Sequence, residues 1–149
     1  MREGFGVGVE AVVEDTVAES MRARFGSHVI HEVYGTAAMV YHMEWAARRV
    51  ILPYLEADEE GIGAGVQVRH LHPAPVGAAI RARAVCTTYE GSRVVCAVQV
   101  WRGDTLLGDG VVEQRVVHRE MLHRRYPDCW PAEPTSDGRP LARLAGDRR

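Results

Sequence analysis

Gly35-Thr36-Ala37-Ala38-Met39-Val40-Tyr41-His42-Met43-Glu44-Trp45-Ala46-Ala47 is the stretch on which the reading of this chain turns. Almost every position is apolar or small. The pattern predicts a helix from about Ala37 to Leu52, stopped near Pro53. A helix that is apolar on nearly all faces is expected inside a core. Glu44 in its middle is then out of place, because a buried charge needs a partner or a task. Thr36 stands where the N-cap should be, and His70 lies 26 residues beyond Glu44. A hydroxyl, a carboxylate and an imidazole are the groups that acyl-transfer chemistry uses.

Before the helix, Gly6 to Val13 reads as a strand. Thr16 to Ala23 reads as a short helix, with Thr16 as cap and Glu19 as its capping-box partner. Phe25 to Tyr34 reads as a loop or lid. Asp58-Glu59-Glu60-Gly61 is a polar turn, and strands follow it. Ile62 to Leu71 ends at Pro73-Ala74-Pro75. Ala78 to Tyr89 and Arg93 to Trp101 flank Glu90-Gly91-Ser92, a hairpin signal. Leu106 to His118 follows the turn at Arg102-Gly103-Asp104. Ile80, Ala82, Ala84 and Cys86 alternate with Arg81 and Arg83, so one sheet face is covered and the other is wetter. The expected organisation is a single domain over 1–126 and a disordered or draped tail over 127–149, where four of the seven prolines fall.

Composition narrows the function classes. A chain of 149 residues with 46% apolar content suits one well-packed domain. A net charge of −2 gives no general attraction to nucleic acid or to a membrane surface. All 18 basic residues are Arg, and Lys and Asn are absent. Schiff-base and P-loop lysines are thereby excluded, as is N-glycosylation. The bias also suggests a GC-rich bacterial source. No apolar run reaches membrane-spanning length and no leader pattern is present, so a cytoplasmic protein is expected. Three cysteines without metal spacing read as buried thiols, with Cys86 and Cys96 facing each other across the hairpin and Cys129 incidental.

One strand, a long helix and four antiparallel strands describe an α+β hot-dog fold, a sheet wrapped around a central helix. One helix on one sheet leaves apolar surface uncovered, so a homodimer or dimer of dimers is expected.

Along Gly6 to His118 the chain resembles the fluoroacetyl-CoA thioesterase-like group of hot-dog acyl-CoA thioesterases. The likeness is carried by Thr36 with Met39-Val40, then Met43-Glu44-Trp45-Ala46 and Pro53-Tyr54-Leu55-Glu56. Gly63, Val68 before His70, Glu90-Gly91, and Glu113 with His118 add to it. The resemblance implies hydrolysis of a short acyl-CoA or acyl-carrier thioester. It implies Thr36, Glu44 and His70 as a catalytic set at a dimer interface. Ile30, Gly63 and Arg115 take the substrate-binding positions, and no metal or other cofactor is called for. Two positions depart from the pattern. Ile30 stands where the fluoroacetyl-selective enzyme has an aromatic residue, and Glu113-Gln114-Arg115 displaces an arginine by one. A one-residue slip in a strand turns a side chain to the other face. Fluoroacetyl selectivity is therefore not implied.

Other readings of the same residues are structural. Thr36 can cap its helix, and Glu44 can pair with Arg48 at i, i+4. His70 can be a satisfied surface histidine. His70 and His72 form a His-x-His pair, but no third and fourth metal ligands are recognisable. His42-Met43-Glu44 lacks the Pro-Cys-x-x-Cys partner of a zinc deaminase. Arg48, Arg49, Arg69 and Arg93 either meet coenzyme A phosphates or solvate the surface. Two further functional alternatives are a non-catalytic acyl-CoA or small-ligand binding protein and a hot-dog hydratase or dehydratase. The Asp-x-Asn-Pro-x-His signature of the hot-dog enoyl-CoA hydratases cannot occur in a chain without Asn. Eight residues of regular helix separate Thr36 from Glu44, about 12 Å of rise and roughly 80° of rotation. The two cannot touch within one chain.

Overall fold

The computed structural model describes residues 1–130; most of the expected tail, from residue 131 on, lies outside the described residues. The elements are β1 (Glu10–Thr16), β2 (Arg22–Phe25), β3 (His28–Tyr34), α1 (Thr36–Ile51), β4 (Glu59–His70), β5 (Ala79–Glu90), β6 (Arg93–Arg102), β7 (Thr105–His118) and α2 (Arg119–Arg125). Five strands form one antiparallel sheet in the order β1-β5-β6-β7-β4, and β2 and β3 form a separate hairpin. With α1 packed on that sheet, the architecture is the α+β hot-dog fold.

The alternation along β5 explains which face α1 covers. Ile80, Ala82, Ala84 and Cys86 are buried, whereas Arg81 and Arg83 are exposed. Met39, Met43, Ala46, Ala47, Val50 and Ile51 of α1 close the core from the other side. Cys86 stands opposite Cys96 on β6, as the hairpin symmetry predicts. Both are buried free thiols. Burial pushes the Cys86 thiol up, and pushes Cys96 up to about 12 with a smaller contribution from Cys86 beside it.

The first 35 residues depart most from expectation. β1 begins at Glu10 rather than Gly6, because the chain turns at Gly8 (φ 95°), with Val9 N–H bonded to the Gly6 carbonyl. Thr16 to Ala23 is not a helix. Thr16 is the last residue of β1, and its N–H bonds to the Asp15 carboxylate. Val17 stays extended by exchanging backbone bonds with Ala78 and Gly77. Only Glu19–Met21 forms a 3-10 turn. From Arg22 the chain is a strand, with the Arg22 guanidinium held 2.8 Å from Glu32. Long-range partners here outweigh local helix signals, as tertiary context routinely does. The segment Phe25 to Tyr34, expected as loop or lid, is the hairpin turn and β3. β4 starts at Glu59, inside the expected polar turn. α2 was not expected; it follows β7 directly and buries Leu122.

Two close approaches seat α1. A Cβ on Gly35 would meet Ala23 Cα at 2.9 Å and Ala23 N at 3.0 Å. A Cβ on Gly108 would collide with Met39 Sδ and meet the Arg69 carbonyl oxygen at 2.7 Å. The first lets the start of α1 lie against β2. The second lets its first turn lie on the strand beside β4.

Gly35 has φ −81° and ψ 153°, which any residue adopts, so substitution there meets a steric obstacle alone. Gly35→Ala is expected to destabilise the fold by about 1–3 kcal/mol, the usual cost of overpacking. Chemical denaturation measures it; an unchanged midpoint would show that β2 yields freely. Thiol titration provides a second check. Cys129 is exposed. The native protein should therefore give one fast-reacting thiol equivalent, with the other two of its three cysteines reacting only after denaturation.

Candidate active site

α1 begins at Thr36, and Gly35 takes the N-cap position. Thr36 is therefore not the cap. Its hydroxyl lies 2.9 Å from His70 Nδ1. The other ring nitrogen, Nε2, lies 3.1 Å from the His72 carbonyl oxygen. A carbonyl only accepts, so Nε2 carries the hydrogen. In the neutral ring Nδ1 then accepts from the Thr36 hydroxyl. His70 is the last residue of β4, where the chain leaves the sheet. Leu71 and His72 N–H both bond to the Leu107 carbonyl, which curls this corner and brings the His72 carbonyl under the ring. The His72 ring donates from Nδ1 to the Leu106 carbonyl at 2.8 Å.

The N–H groups of the first helical residues point from the same corner. Met39 N–H makes the first helical bond, to the Gly35 carbonyl at 3.0 Å. The N–H groups of Thr36, Ala37 and Ala38 precede it and have no acceptor inside the helix. They form an electropositive patch beside the Thr36 hydroxyl.

Glu44 is placed differently from its expectation. It is exposed in the single chain, and α1 is amphipathic rather than buried on all sides. Thr36, Ala37, Tyr41 and Glu44 line the outward stripe. The polar residue buried in mid-helix is His42, at 1% exposure. Glu44 does not pair with Arg48, whose guanidinium bonds to Glu60 at 2.7 Å and to the Gly61 carbonyl. Glu44 Oε1 instead lies 3.9 Å from where a Cβ on Gly63 would be. Gly63 is seven β4 residues from His70, roughly 20 Å at the usual strand rise. The structure thus joins Thr36 to His70 and Glu44 to Gly63, as two separate pairs.

Arg115 and Ile30 join neither pair. Arg115 pairs across the sheet with Ile62, eight β4 residues from His70, roughly 25 Å away. It shares an outward strand face with Glu113, 3.0 Å from that carboxylate. Arg93 holds the same carboxylate at 3.1 Å, and the two guanidiniums keep it below the usual carboxylate range, Arg93 most strongly. The inward position next to Arg115 belongs to Gln114, which donates to the Ala47 carbonyl of α1 at 2.9 Å. Ile30 is half-exposed on β3, four residues before the buried Tyr34 and separated from it by a break in the β2–β3 register. Of the arginines considered for phosphate contact, Arg48, Arg69 and Arg93 are engaged with Glu60, Asp109 and Glu113, and Arg49 is exposed.

Sequence reading missed a buried polar chain next to His70. His42 Nε2–H donates to Asp15 Oδ2 at 2.9 Å, and Tyr34 O–H donates to His42 Nδ1 at 2.6 Å. The Tyr34 ring in turn lies edge-on to the His70 ring, with centroids 6.3 Å apart. Burial pushes the Tyr34 phenol well above its ordinary range, with Asp15 adding to the effect, so it stays a hydrogen donor. One signal was available: His42 falls on the helix face of Met39, Met43 and Ala46, where an imidazole requires partners for both nitrogens.

Comparison with known proteins places the chain in a family. Residues 17–120 match the family model for the fluoroacetyl-CoA-specific thioesterase, FlK. A fluoroacetyl-CoA thioesterase of Streptantibioticus cattleyicolor is 34% identical over 101 residues, covering 68% of this chain and 73% of the relative. Among solved structures, a Thermus thermophilus hypothetical protein of the thioesterase superfamily superposes with a TM-score of 0.78 at 40% identity, covering 88% of this chain and 99% of its own. The fluoroacetyl-CoA thioesterase FlK superposes at 0.76 with 28% identity, covering 89% of this chain and 100% of its own. The chain belongs to the fluoroacetyl-CoA-specific thioesterase family, thioester hydrolases on the hot-dog fold.

Proposed function

We propose that this protein hydrolyses a short acyl thioester of coenzyme A, with Thr36 as nucleophile and His70 as general base. The observation that carries the reading is the 2.9 Å contact between the Thr36 hydroxyl and Nδ1 of His70. Nucleophile and base are within transfer distance, and a third group orients the base through its other nitrogen. That third group is the His72 carbonyl.

The step balances simply. Nδ1 takes the hydroxyl proton as Thr36 oxygen bonds to the thioester carbon. The carbonyl oxygen becomes an oxyanion facing the free N–H groups of Thr36, Ala37 and Ala38. The C–S bond then breaks, and the thiolate receives the proton from Nδ1. A water, deprotonated by the same nitrogen, releases the acid and restores Thr36.

Glu44 enters through a homodimer. β4 is an edge strand whose residues Gly63 to Gln67 are all exposed. An edge of this kind invites pairing with another strand. Antiparallel pairing of two copies about the middle of that run would set His70 close to the start of the partner's β4. The partner subunit's Glu44, overhanging the partner's Gly63, would then complete the site. It would orient the attacking water or the substrate. Ile30 and Gly63 are proposed to shape the acyl end, with Ile30 in place of an aromatic side chain leaving the acyl preference open to groups other than fluoroacetyl. Arg115, far from Thr36 in its own chain, is proposed as a substrate contact only through the assembled dimer. No metal or organic cofactor has a step in this scheme. We also read the protein as bacterial and cytoplasmic. The support for the source is its arginine-only basic composition; among the described residues no helix is long and apolar enough to cross a membrane.

Thiol release across acyl-CoAs of increasing size tests the activity and separates it from a binding-only protein, which would show saturable affinity without turnover. Thr36→Ala, His70→Ala and Glu44→Gln should each lower kcat/KM by about a hundredfold or more. Folded variants at wild-type rate would remove those residues from the site. Sedimentation should give at least twice the chain mass of 16.5 kDa at micromolar concentration, and a monomer mass would remove the shared site.

A further inference from the structure

We propose that His42, with Asp15 and Tyr34, is a positioning residue for His70: the Asp15–His42–Tyr34 chain holds the Tyr34 ring as the wall that keeps the His70 imidazole aimed at Thr36. The inference rests on the reading of Thr36 and His70 as nucleophile and base.

The chain runs inward from the surface. Asp15 is at the end of β1 with its side chain 33% exposed, so its carboxylate keeps contact with water. His42 is 1% exposed on the inner face of α1, and Tyr34 is 0% exposed at the end of β3. Three separate elements therefore meet in two hydrogen bonds, of 2.9 Å and 2.6 Å. The Trp45 ring stacks on His42 at an interplanar angle of 29°, fixing the imidazole plane. A carboxylate acceptor at one nitrogen and a phenol donor at the other define a single tautomer, with hydrogen on Nε2.

This polar chain does not serve the fold in an obvious way. A buried imidazole and phenol with full hydrogen bonding contribute little more than apolar groups of the same shape. Nor does it carry protons to the site, because the link from Tyr34 to His70 is a ring contact at 6.3 Å rather than a hydrogen bond. What it fixes is the rotation of the Tyr34 side chain. The Tyr34 backbone is already tied to Ala74, at 2.8 Å, in the segment that follows His70. Thr36 is two residues further along the chain. Tyr34 therefore sits beside the nucleophile–base pair, and its hydroxyl tether sets where its ring meets the His70 ring. His70 itself is held only by the two hydrogen bonds at its ring nitrogens, in a half-exposed corner. A firm wall matters there, since a misplacement of about 1 Å costs on the order of a hundredfold in rate.

The test compares His42→Leu, which removes both bonds, with His42→Gln, which keeps an acceptor for Tyr34 and a donor for Asp15. The nitrogen-15 spectrum of the ligand-free protein, with the His70 resonances assigned by loss in His70→Gln, reports the His70 tautomer without any need for turnover. Wild type and His42→Gln should show His70 with hydrogen on Nε2. His42→Leu, with native circular dichroism, should show a mixed tautomer and a kcat at least about tenfold lower at KM within about threefold. Tyr34→Phe leaves the ring and removes the tether, so it should follow His42→Leu and serves if that variant does not fold. An unchanged His70 spectrum in folded His42→Leu or Tyr34→Phe overturns the proposal, as does a His42→Gln spectrum that matches Leu. Absence of hydrolysis by the wild type would overturn the thioesterase reading, and the spectra would still decide the positioning role.

Discussion

Burial of one face of α1 against the five-stranded sheet is the constraint from which the rest follows. Met39, Met43, Ala46, Ala47, Val50 and Ile51 press on β5, β6 and β7, and each of the larger side chains, Met39, Met43, Val50 and Ile51, contributes about 1.5 to 3 kcal/mol on burial. Packing at that density fixes the helix in rotation as well as in position. Rotation decides chemistry. With the Met39 and Met43 face inward, Thr36 and Glu44 turn outward, and His42 is forced inside. The seat is close because Gly108 has no side chain under Met39, and because Gly35 has none against Ala23.

The same constraint explains why the polar groups sort into three sets. At the N-terminal end of α1, Thr36 meets His70 where β4 leaves the sheet. In the middle, His42 must satisfy both nitrogens inside the core and does so with Tyr34 and Asp15. Toward the C-terminal end, Arg48 turns onto Glu60, which is 7% exposed and is also held by Arg119 at 3.0 Å. Glu60 needs these two guanidiniums, because a buried carboxylate without a partner is strongly destabilising. Glu44, by contrast, is spared that burial. Its freedom from Arg48 is what leaves a carboxylate on the outward stripe of α1.

His70, proposed as the base, differs in its support from a histidine held by a carboxylate. His70 is oriented by the neutral carbonyl of His72. A carbonyl fixes the tautomer without adding a full negative charge beside the ring. In the proposed scheme the work of stabilising the oxyanion then falls on the N–H groups at the start of α1.

Much was legible in the sequence because it depends on local pattern. The period-2 alternation from Ile80 to Cys86, the turns at Gly91 and Gly103, and the stop at Pro53 are written in neighbouring residues, and the sheet and α1 follow them. Family-specific pieces such as Met43-Glu44-Trp45-Ala46 singled out Thr36, Glu44 and His70. Three features were decided only by tertiary structure. Thr16 to Ala23 has helix signals, yet bonds to Ala78, Glu32 and Gly35 draw it into strands. Helix rotation, not composition, exposed Glu44 and buried His42, since a stretch with few polar residues does not reveal which face meets the sheet. The link of Asp15, Tyr34 and His42 joins residues up to 27 positions apart. Sequence carries the type of each side chain. Which of them meet is set by packing, because contact between distant residues is a property of the whole folded arrangement and not of any segment.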